Sequence, residues 1–159
     1  MGNFIPAILG ILSSALTKGH WVNGKAPYGY EYSYKTKRLV PDTAGNPSPS
    51  EVVQSIFNDA LNGVSTSDIA YKLNRKGILS PNGSHWTSTT ISRILHQEVY
   101  LGKTIYGKSS GSGHKNKKTT PLKFKDKSEW IIVNNAHPAL ISEEVFEEVQ
   151  SQLNRRKKL

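Results

Sequence analysis

The chain has 159 residues, which suffices for one domain with a modest hydrophobic core. Its 21 Lys and Arg against 12 Asp and Glu give a formal net charge of +9, which favours polyanionic partners, although charge that serves only solubility is the alternative. The sequence has no cysteine, which excludes disulfides and Cys-ligated zinc, and no apolar run approaches the roughly 20 residues of a membrane-spanning helix.

The first predicted element is an amphipathic helix within residues 1–19. Phe4, Ile8 and Ile11 recur at helical spacing, and Gly19 closes the segment. The apolar face of this helix needs a surface to pack on. Three surfaces are open at this point: the rest of the domain, a partner protein, or a missing part of a longer parent protein.

A β-hairpin is predicted next, because tyrosines alternate with other residues over 28–34 and a turn and second strand follow over 35–40. The segment 24–30 that leads into it has two interpretations. It is either an arm that brings Asn23 and Lys25 to a DNA minor groove, or a turn whose proline and tyrosines fill the core. We expect a mixture, with structural tyrosines and an available Lys25.

Three helices are predicted in the middle of the chain, where hydroxyl residues stand at N-terminal cap positions. Ser48 and Glu51 form a capping box, and Ser65 caps the second helix. The third helix begins at residue 87 or 88. The side chains expected to face the core are Val52, Val53, Ile56, Phe57, Ala60, Leu61, Ile69, Ala70, Leu73, Trp86, Ile91, Ile94 and Leu95.

Two strands and one helix are predicted in the C-terminal part. Residues 101–106 and 130–133 have the composition of strands, and Ser142 is expected to cap the helix. Residues 107–128 are rich in Lys, Gly and Ser and are predicted to form a mobile basic loop. Residues 20–159 are therefore predicted to form one mainly helical α+β domain, with a helix-turn-helix-like DNA-binding core, short β-strands and a C-terminal helix.

The third helix carries the clearest candidates for contacts with DNA. At about 100° per residue, Thr89, Arg93 and His96 point away from its apolar face. Arginine can bind guanine or a phosphate, so this face suits a major groove, although an ordinary solvated helix face has the same composition. The lysines of the basic loop either follow phosphates or belong to a solvated insertion. The residues assigned to DNA binding are Lys25, His85, Ser88, Thr89, Thr90, Arg93, His96, Gln97, Lys103, Lys115, Lys117 and Lys118.

A search for catalytic and cofactor-binding patterns gives none. The five histidines show no metal-ligand spacing, no glycine-rich phosphate loop precedes a helix, and no serine lies in a nucleophile elbow. His137, followed by Pro138, is interpreted as part of a turn and not as a catalytic base. The chain alone is therefore predicted not to be an enzyme and to use no metal or cofactor.

Short motifs follow one another in a fixed order along nearly the whole chain, from about residue 18 to about residue 155. They are Gly24-Lys25-Ala26-Pro27-Tyr28-Gly29-Tyr30, Val53 with Ile56-Phe57, Gly63 with Ser65, Ile69-Ala70 with Leu73-Asn74 and Gly77-Ile78, Pro81-Asn82-Gly83, Trp86, Ile94-Leu95, Tyr100 with Gly102, Asn135-Ala136-His137-Pro138-Ala139-Leu140-Ile141-Ser142, Phe146, and Val149-Gln150. The series resembles the recombinase domain of large serine site-specific recombinases, in the resolvase–invertase superfamily. Two features depart from that family: Gln97 stands where relatives often have Asn, and the leading segment is more apolar than the family's charged connector.

The resemblance implies a non-catalytic domain that recognises the inner part of an attachment half-site on double-stranded DNA, during integration or excision of a mobile element. The serine nucleophile belongs to a catalytic domain, and the cysteines to a zinc ribbon, and both domains are missing from this chain. They are the implied partners besides DNA. Residues 1–19 then correspond to the tail of the connector helix, and the protein is expected in the bacterial cytoplasm, encoded by a bacterium or a phage.

Three other functions remain open from the sequence. The first is a free-standing helix-turn-helix transcription regulator that binds a palindrome as a dimer. The second is an enzyme of another class, such as a nuclease with an unrecognised site. The third is a protein-interaction module that uses the apolar stripe between Phe4 and Ala15.

Overall fold

The computed structural model describes residues 18–106, 109–110, 123–124 and 130–157, the two short central segments through their backbone alone. The predicted N-terminal helix and the loop lysines Lys115, Lys117 and Lys118 lie outside these residues. The described residues form the predicted α+β fold, with four α-helices and short antiparallel strand pairs. None of these helices is long and apolar enough to cross a membrane.

A β-hairpin begins the regular structure, as the alternating tyrosines predict. Strand β1 (Tyr30–Ser33) pairs antiparallel with β2 (Arg38–Pro41), with Tyr30 opposite Pro41. The tyrosines do not share one environment, however. Tyr30 is 4% exposed, whereas Tyr34 is 88% exposed because it lies beyond the end of β1, in the turn.

Three helices follow, and each begins at its predicted cap. Each cap hydroxyl accepts the amide hydrogen of the residue three positions on, at 3.3 Å for Ser48, 3.1 Å for Ser65 and 3.2 Å for Thr87. The helices are α1 (Pro49–Leu61), α2 (Thr66–Arg75) and α3 (Ser88–Leu95).

The chain after α3 differs from the strand predicted over residues 101–106. A 3-10 turn at Glu98–Leu101 comes first, and strand β3 is limited to Thr104–Tyr106. Between them Gly102 has a φ of 83°, and a Cβ at this position would lie 2.7 Å from the carbonyl oxygen of His137. The predicted strand is therefore too long, because the close approach of a distant segment imposes a left-handed residue at position 102.

The remaining elements complete the C-terminal part. Strand β3 pairs antiparallel with a strand close to the predicted one, and two further short strands pair inside the stretch predicted as a loop. The predicted cap of the last helix is confirmed, since the hydroxyl of Ser142 accepts the amide hydrogen of Val145 at 3.3 Å. These elements are β4 (Ser109–Ser110), β5 (Lys123–Phe124), β6 (Ile131–Val133) and α4 (Glu143–Lys157).

The hydrophobic core is centred on α1. Its residues Ile56 and Phe57 are completely buried, and the ring of Phe57 lies 5.9 Å from that of Tyr100 and 6.0 Å from that of Phe146, between ring centroids. Helix α1 thus packs on both the 3-10 turn and α4. The side chains predicted to face the core are all buried except Leu61, which is partly buried.

A cluster of aromatic side chains fixes the hairpin to the rest of the domain. Tyr30 stacks on Tyr100 and meets the ring of His137 edge-on, at centroid distances of 5.9 and 4.9 Å. The hydroxyl of Tyr30 donates to the carbonyl oxygen of Pro138 at 2.6 Å. Burial raises the pKa of both tyrosines well above the usual range, so their hydroxyls remain protonated donors at neutral pH.

Candidate nucleic-acid interface

Helix α3 presents a polar face away from the core. Its three apolar residues are at most 4% exposed. On the opposite side Thr89, Arg93 and His96 are all exposed, as the angular spacing predicts, and Gln97 is exposed just beyond the helix. The face therefore joins hydroxyl, guanidinium, imidazole and amide groups along one short helix.

The N-terminal end of α3 holds three more of the predicted contact residues. His85 and Ser88 are exposed, whereas Thr90 is half-buried. The hydroxyl of Thr90 lies 3.1 Å from that of Thr87, the cap residue. Thr90 is therefore part of the cap, which orients its hydroxyl at the edge of the polar face.

The connection between α2 and α3 is long, but one asparagine fixes its end. Asn74 on α2 donates through Nδ2 to the carbonyl oxygen of Trp86 at 2.9 Å, and its Oδ1 accepts the amide hydrogen of Trp86 at 2.8 Å. The indole of Trp86 is 3% exposed and donates to the carbonyl oxygen of Ile78 at 3.0 Å. Trp86 is the core anchor that the sequence predicts, whereas the clamp by Asn74 has no local sequence signal beyond a polar residue directly after the buried Leu73.

Arg93 carries a positive charge that has no partner within the part of the chain that the structure describes. Among the residues that the structure describes, the cationic members of ion pairs are Lys72, Lys103 and Arg155, and the Arg93 side chain forms neither an ion pair nor a hydrogen bond. Its guanidinium donors are therefore available to an external acceptor, and a guanidinium suits planar acceptors such as phosphate or the edge of guanine.

His96 is held in one orientation at the end of α3. Its Nδ1 lies 2.7 Å from the carbonyl oxygen of Ser92. Because a carbonyl oxygen only accepts, Nδ1 must carry the hydrogen, and Nε2 is then an acceptor in the neutral ring. His96 can thus accept a hydrogen bond when neutral and donate one when protonated.

A pocket of about 310 Å³ lies between the segment 21–27, the end of α3 and strand β3. This segment, which overlaps the predicted arm, is called the arm below. Three of the predicted contact residues line the pocket: His96, Gln97 and, six positions further on, Lys103. Asn23 also lines this pocket, and its Nδ2 donates to the carbonyl oxygen of Ile105 at 3.5 Å. The arm and the end of α3 therefore form two walls of one surface.

Other residues line the pocket without having been selected as contacts from the sequence, among them Trp21, Thr104 and Trp130. Trp21 donates through Nε1 to the carbonyl oxygen of Gly24 at 2.8 Å, which folds the arm back on itself. The Thr104 hydroxyl is buried and has no hydrogen-bond partner among the described residues. The usable signal was a tryptophan next to each basic segment, since aromatic and basic residues often occur together at nucleic-acid surfaces.

The predicted lysine contacts fall into different environments. Lys25 is exposed on the arm, outside the lining of the pocket. Lys103 is half-buried and its Nζ lies 3.5 Å from Oε1 of Glu143, so that part of its charge is balanced within the protein. The two lysines are thus not equivalent, because of the two only Lys103 is paired with a carboxylate among the described residues.

His137 lies in the turn after β6, as interpreted from the sequence. Its Nε2 is 2.7 Å from the carbonyl oxygen of Val99. Burial lowers the pKa of His137, and this hydrogen bond partly opposes the shift. Within the described ranges no three His, Asp or Glu side chains are grouped so that they could hold a metal ion.

Comparison with known proteins identifies the family. A family model described as Recombinase matches residues 47–156. The chain belongs to this family. The recombinase domain expected from the motif series is thereby confirmed.

Two solved structures resemble this Recombinase domain in fold. One is a crystal structure of an LSR–DNA complex, with a TM-score of 0.62 and 16% identity, covering 95% of this chain and 38% of the other. The other comes from work on the sequence requirements of the Listeria innocua prophage attP site, with a TM-score of 0.60 and 16% identity, covering 93% of this chain and 51% of the other. This Recombinase domain thus spans about half or less of the length of those chains.

The matched range relates the Recombinase family to the candidate interface. Residues 47–156 include α1, α2, α3 and nearly all of α4. Trp21 and Asn23 on the arm precede this range. The pocket is therefore lined partly by residues outside the range that the family model matches.

Proposed function

We propose that this domain binds double-stranded DNA sequence-specifically and positions a serine recombinase on the half-sites of its attachment site, for integration or excision. The observation that carries the proposal is Arg93, an exposed cation without an internal partner among the described residues, on a helix whose other side is fixed in the core. Two similar structures add support, since one is described as a DNA complex and the other concerns an attP site.

In this proposal α3 lies in the major groove. Its eight residues extend about 12 Å, which is comparable to the width of that groove. Thr89, Arg93, His96 and Gln97, which we name the DNA face, then meet base edges or the adjacent phosphates. Arg93 is the residue best suited to guanine, because its donors match the two acceptors of that base edge.

Contacts with the phosphate backbone surround the DNA face. Lys25 on the arm, Lys103 in the pocket, and His85, Ser88 and Thr90 at the start of α3 are proposed to bind phosphates and fix the register. Lys103 can leave Glu143, because an ion pair this exposed contributes little. The loop lysines, Lys115, Lys117 and Lys118, are proposed to follow the backbone and to make the affinity depend on salt.

The chemistry of recombination is assigned to parts of the enzyme other than this domain. Residues 1–19 are proposed to be the tail of a helix that joins a catalytic domain, residues 20–159 to be the DNA-binding domain, and 107–128 to be its mobile basic loop. The catalytic and zinc-ribbon domains are the proposed protein partners, in the cytoplasm of a bacterium and encoded by it or by a phage. The role proposed for this domain is to position on the DNA an active site that lies in another domain.

The test is selection of the purified chain against random duplex DNA, scored at about 50 and about 200 mM salt. We expect an enriched motif that persists at the higher salt, since base contacts are less sensitive to salt than phosphate contacts. Binding without a motif, lost at the higher salt, would contradict sequence-specific recognition. A palindromic motif bound only by a dimer would instead favour a free-standing transcription regulator.

A further inference from the structure

Three side chains of α4 donate hydrogen bonds to the ends of other helices. Gln152 Nε2 donates to the carbonyl oxygen of Leu61 at 3.1 Å, and Arg156 Nη2 donates to that of Gly63 at 2.7 Å. Leu61 is the last residue of α1, and Gly63 lies two positions beyond it. Gln150 Nε2 donates instead to the carbonyl oxygen of Leu95, the last residue of α3.

The carbonyl oxygen of Leu95 lies at the C-terminal end of α3, where the backbone hydrogen bonds of the helix end. The amide of His96 donates back to Ser92 and Arg93, and the amide of Gln97 donates to Ile94. The carbonyl groups of a last helical turn need partners from outside the helix. Leu95 is fully buried, so such a partner must come from the protein, and Gln150 supplies it.

We propose that Gln150 is a positioning residue for DNA recognition, which holds the last turn of α3 so that His96 and Gln97 meet DNA in a fixed geometry. Gln150 lies on the side of α4 that faces the core and is not part of the DNA face. It therefore acts through α3, by tying the end of that helix to an element that also holds α1. This inference rests on the proposed function, because it concerns how the DNA face is oriented.

The chain offers a matched control in Gln152. Both residues are partly buried glutamines of α4, and both donate through Nε2 to a carbonyl oxygen at or near a helix end. Only the Gln150 acceptor belongs to α3. Gln152 Nε2 also donates to Oε1 of Glu148 within α4, at 3.4 Å. Gln150→Met and Gln152→Met each remove one amide group at nearly constant size, so a loss at the end of α3 that is seen only in Gln150→Met reports the position of the bond and not the mere loss of a donor.

The first measurement is amide hydrogen exchange on the free chain. We expect Gln150→Met to speed exchange at the end of α3 by about fivefold, the factor that corresponds to one hydrogen bond, and Gln152→Met to leave that segment unchanged. Gln150→Glu, which keeps the size but repels the carbonyl, should act in the same direction. It serves as the second variant if Gln150→Met does not fold.

The second measurement is the affinity for the selected motif relative to random duplex. We expect Gln150→Met to lower this ratio about fivefold, because fewer molecules hold the competent geometry, and Gln152→Met to preserve it. Equal effects of the two variants in either measurement would overturn the proposal, as would faster exchange with an unchanged ratio. If the wild-type chain selects no motif, the proposed function fails, and unchanged exchange in Gln150→Met would show separately that Gln150 does not hold α3.

Discussion

Helices α2 and α3 follow the same plan on their inner sides. Each begins at a hydroxyl cap, Ser65 or Thr87, whose oxygen accepts a backbone amide hydrogen of the first turn. Each buries three apolar side chains, and each presents a mixture of hydroxyl and basic groups to solvent. Their composition and their amphipathic pattern alone do not distinguish the two helices.

The outer sides of the two helices differ in how their charges are used. On α2, Lys72 lies 3.2 Å from the carboxylate of Asp59, and the guanidinium of Arg75 lies over the ring of Tyr71. On α3, Arg93 has no comparable partner among the described residues. The two outer faces thus differ less in their residue types than in whether their cationic groups have partners among the described residues.

The largest expected effect comes from removing the anchor between the two helices. Trp86→Ala should lower the free energy of unfolding by about 3–5 kcal/mol, since a large buried ring is lost and a cavity remains. Chemical denaturation measures this. Leu79→Ala in the same connection, where the side chain is 63% exposed, should change it by less than about 0.5 kcal/mol. Similar losses for both variants would mean that the connection does not hold α3.

The next effect tests the polar clamp from α2 to the start of α3. Asn74→Leu keeps the branched shape but leaves the amide and the carbonyl of Trp86 without their partners, so we expect a loss of about 2–4 kcal/mol in unfolding free energy. Asn58→Leu on the exposed side of α1 is the control and should have little effect. If Asn74→Leu and Asn58→Leu gave the same denaturation curve, the hydrogen bonds from Asn74 to Trp86 would not contribute to stability.

The comparison of outer faces is tested directly by two arginines. Arg93→Ala should weaken binding to the selected duplex by about 1–3 kcal/mol and relax one position of the motif. Arg75→Ala removes the same charge from α2 and should leave the motif intact, because that guanidinium already lies against Tyr71. Fluorescence anisotropy titrations provide both affinities. Equal losses of affinity in the two variants would mean that the net charge of the domain, and not the position of Arg93, determines binding.

The smallest effect is a pH dependence of stability near the end of α3. Burial lowers the pKa of His137 from its ordinary value of 6.5, so the unfolded chain takes up a proton at a higher pH than the folded one. Protonation of His137 therefore leaves the free energy of unfolding unchanged above about pH 6.5 and lowers it as the pH falls below that value. Thermal unfolding at about pH 7.5 and about pH 5.5 should show this decrease, and His137→Gln should reduce it. An unchanged dependence in the variant would assign the effect to another group.

Most of the helical framework could be predicted from the sequence, because its signals act within one or two turns of chain. The hydroxyls at Ser48, Ser65, Thr87 and Ser142 cap their own first turns, and the apolar spacing identifies the buried side of each helix. The outward direction of Arg93 follows from the same periodicity. These features need no knowledge of distant residues.

Several features that the sequence did not reveal join distant segments. The strand predicted from residue 101 is cut short by Gly102, which the carbonyl of His137 approaches from 35 positions along the chain. Lys103 was expected to be free for phosphate, yet Glu143 lies beside it. Likewise, the exposure of Arg93 was predictable, but its lack of a partner among the described residues depends on where the acids of those residues lie in the fold. Local periodicity carries no information about such pairs.

The bond from Gln150 to Leu95 also has a consequence for biosynthesis. Its two residues are 55 positions apart in the sequence. At translation rates of about 5–20 residues per second, Leu95 at the end of α3 therefore leaves the ribosome about 3–11 seconds before Gln150. During that interval the carbonyl oxygen of Leu95 lacks its hydrogen-bond donor, Gln150. The last turn of α3 therefore acquires its full set of hydrogen bonds only after α4 has been synthesised.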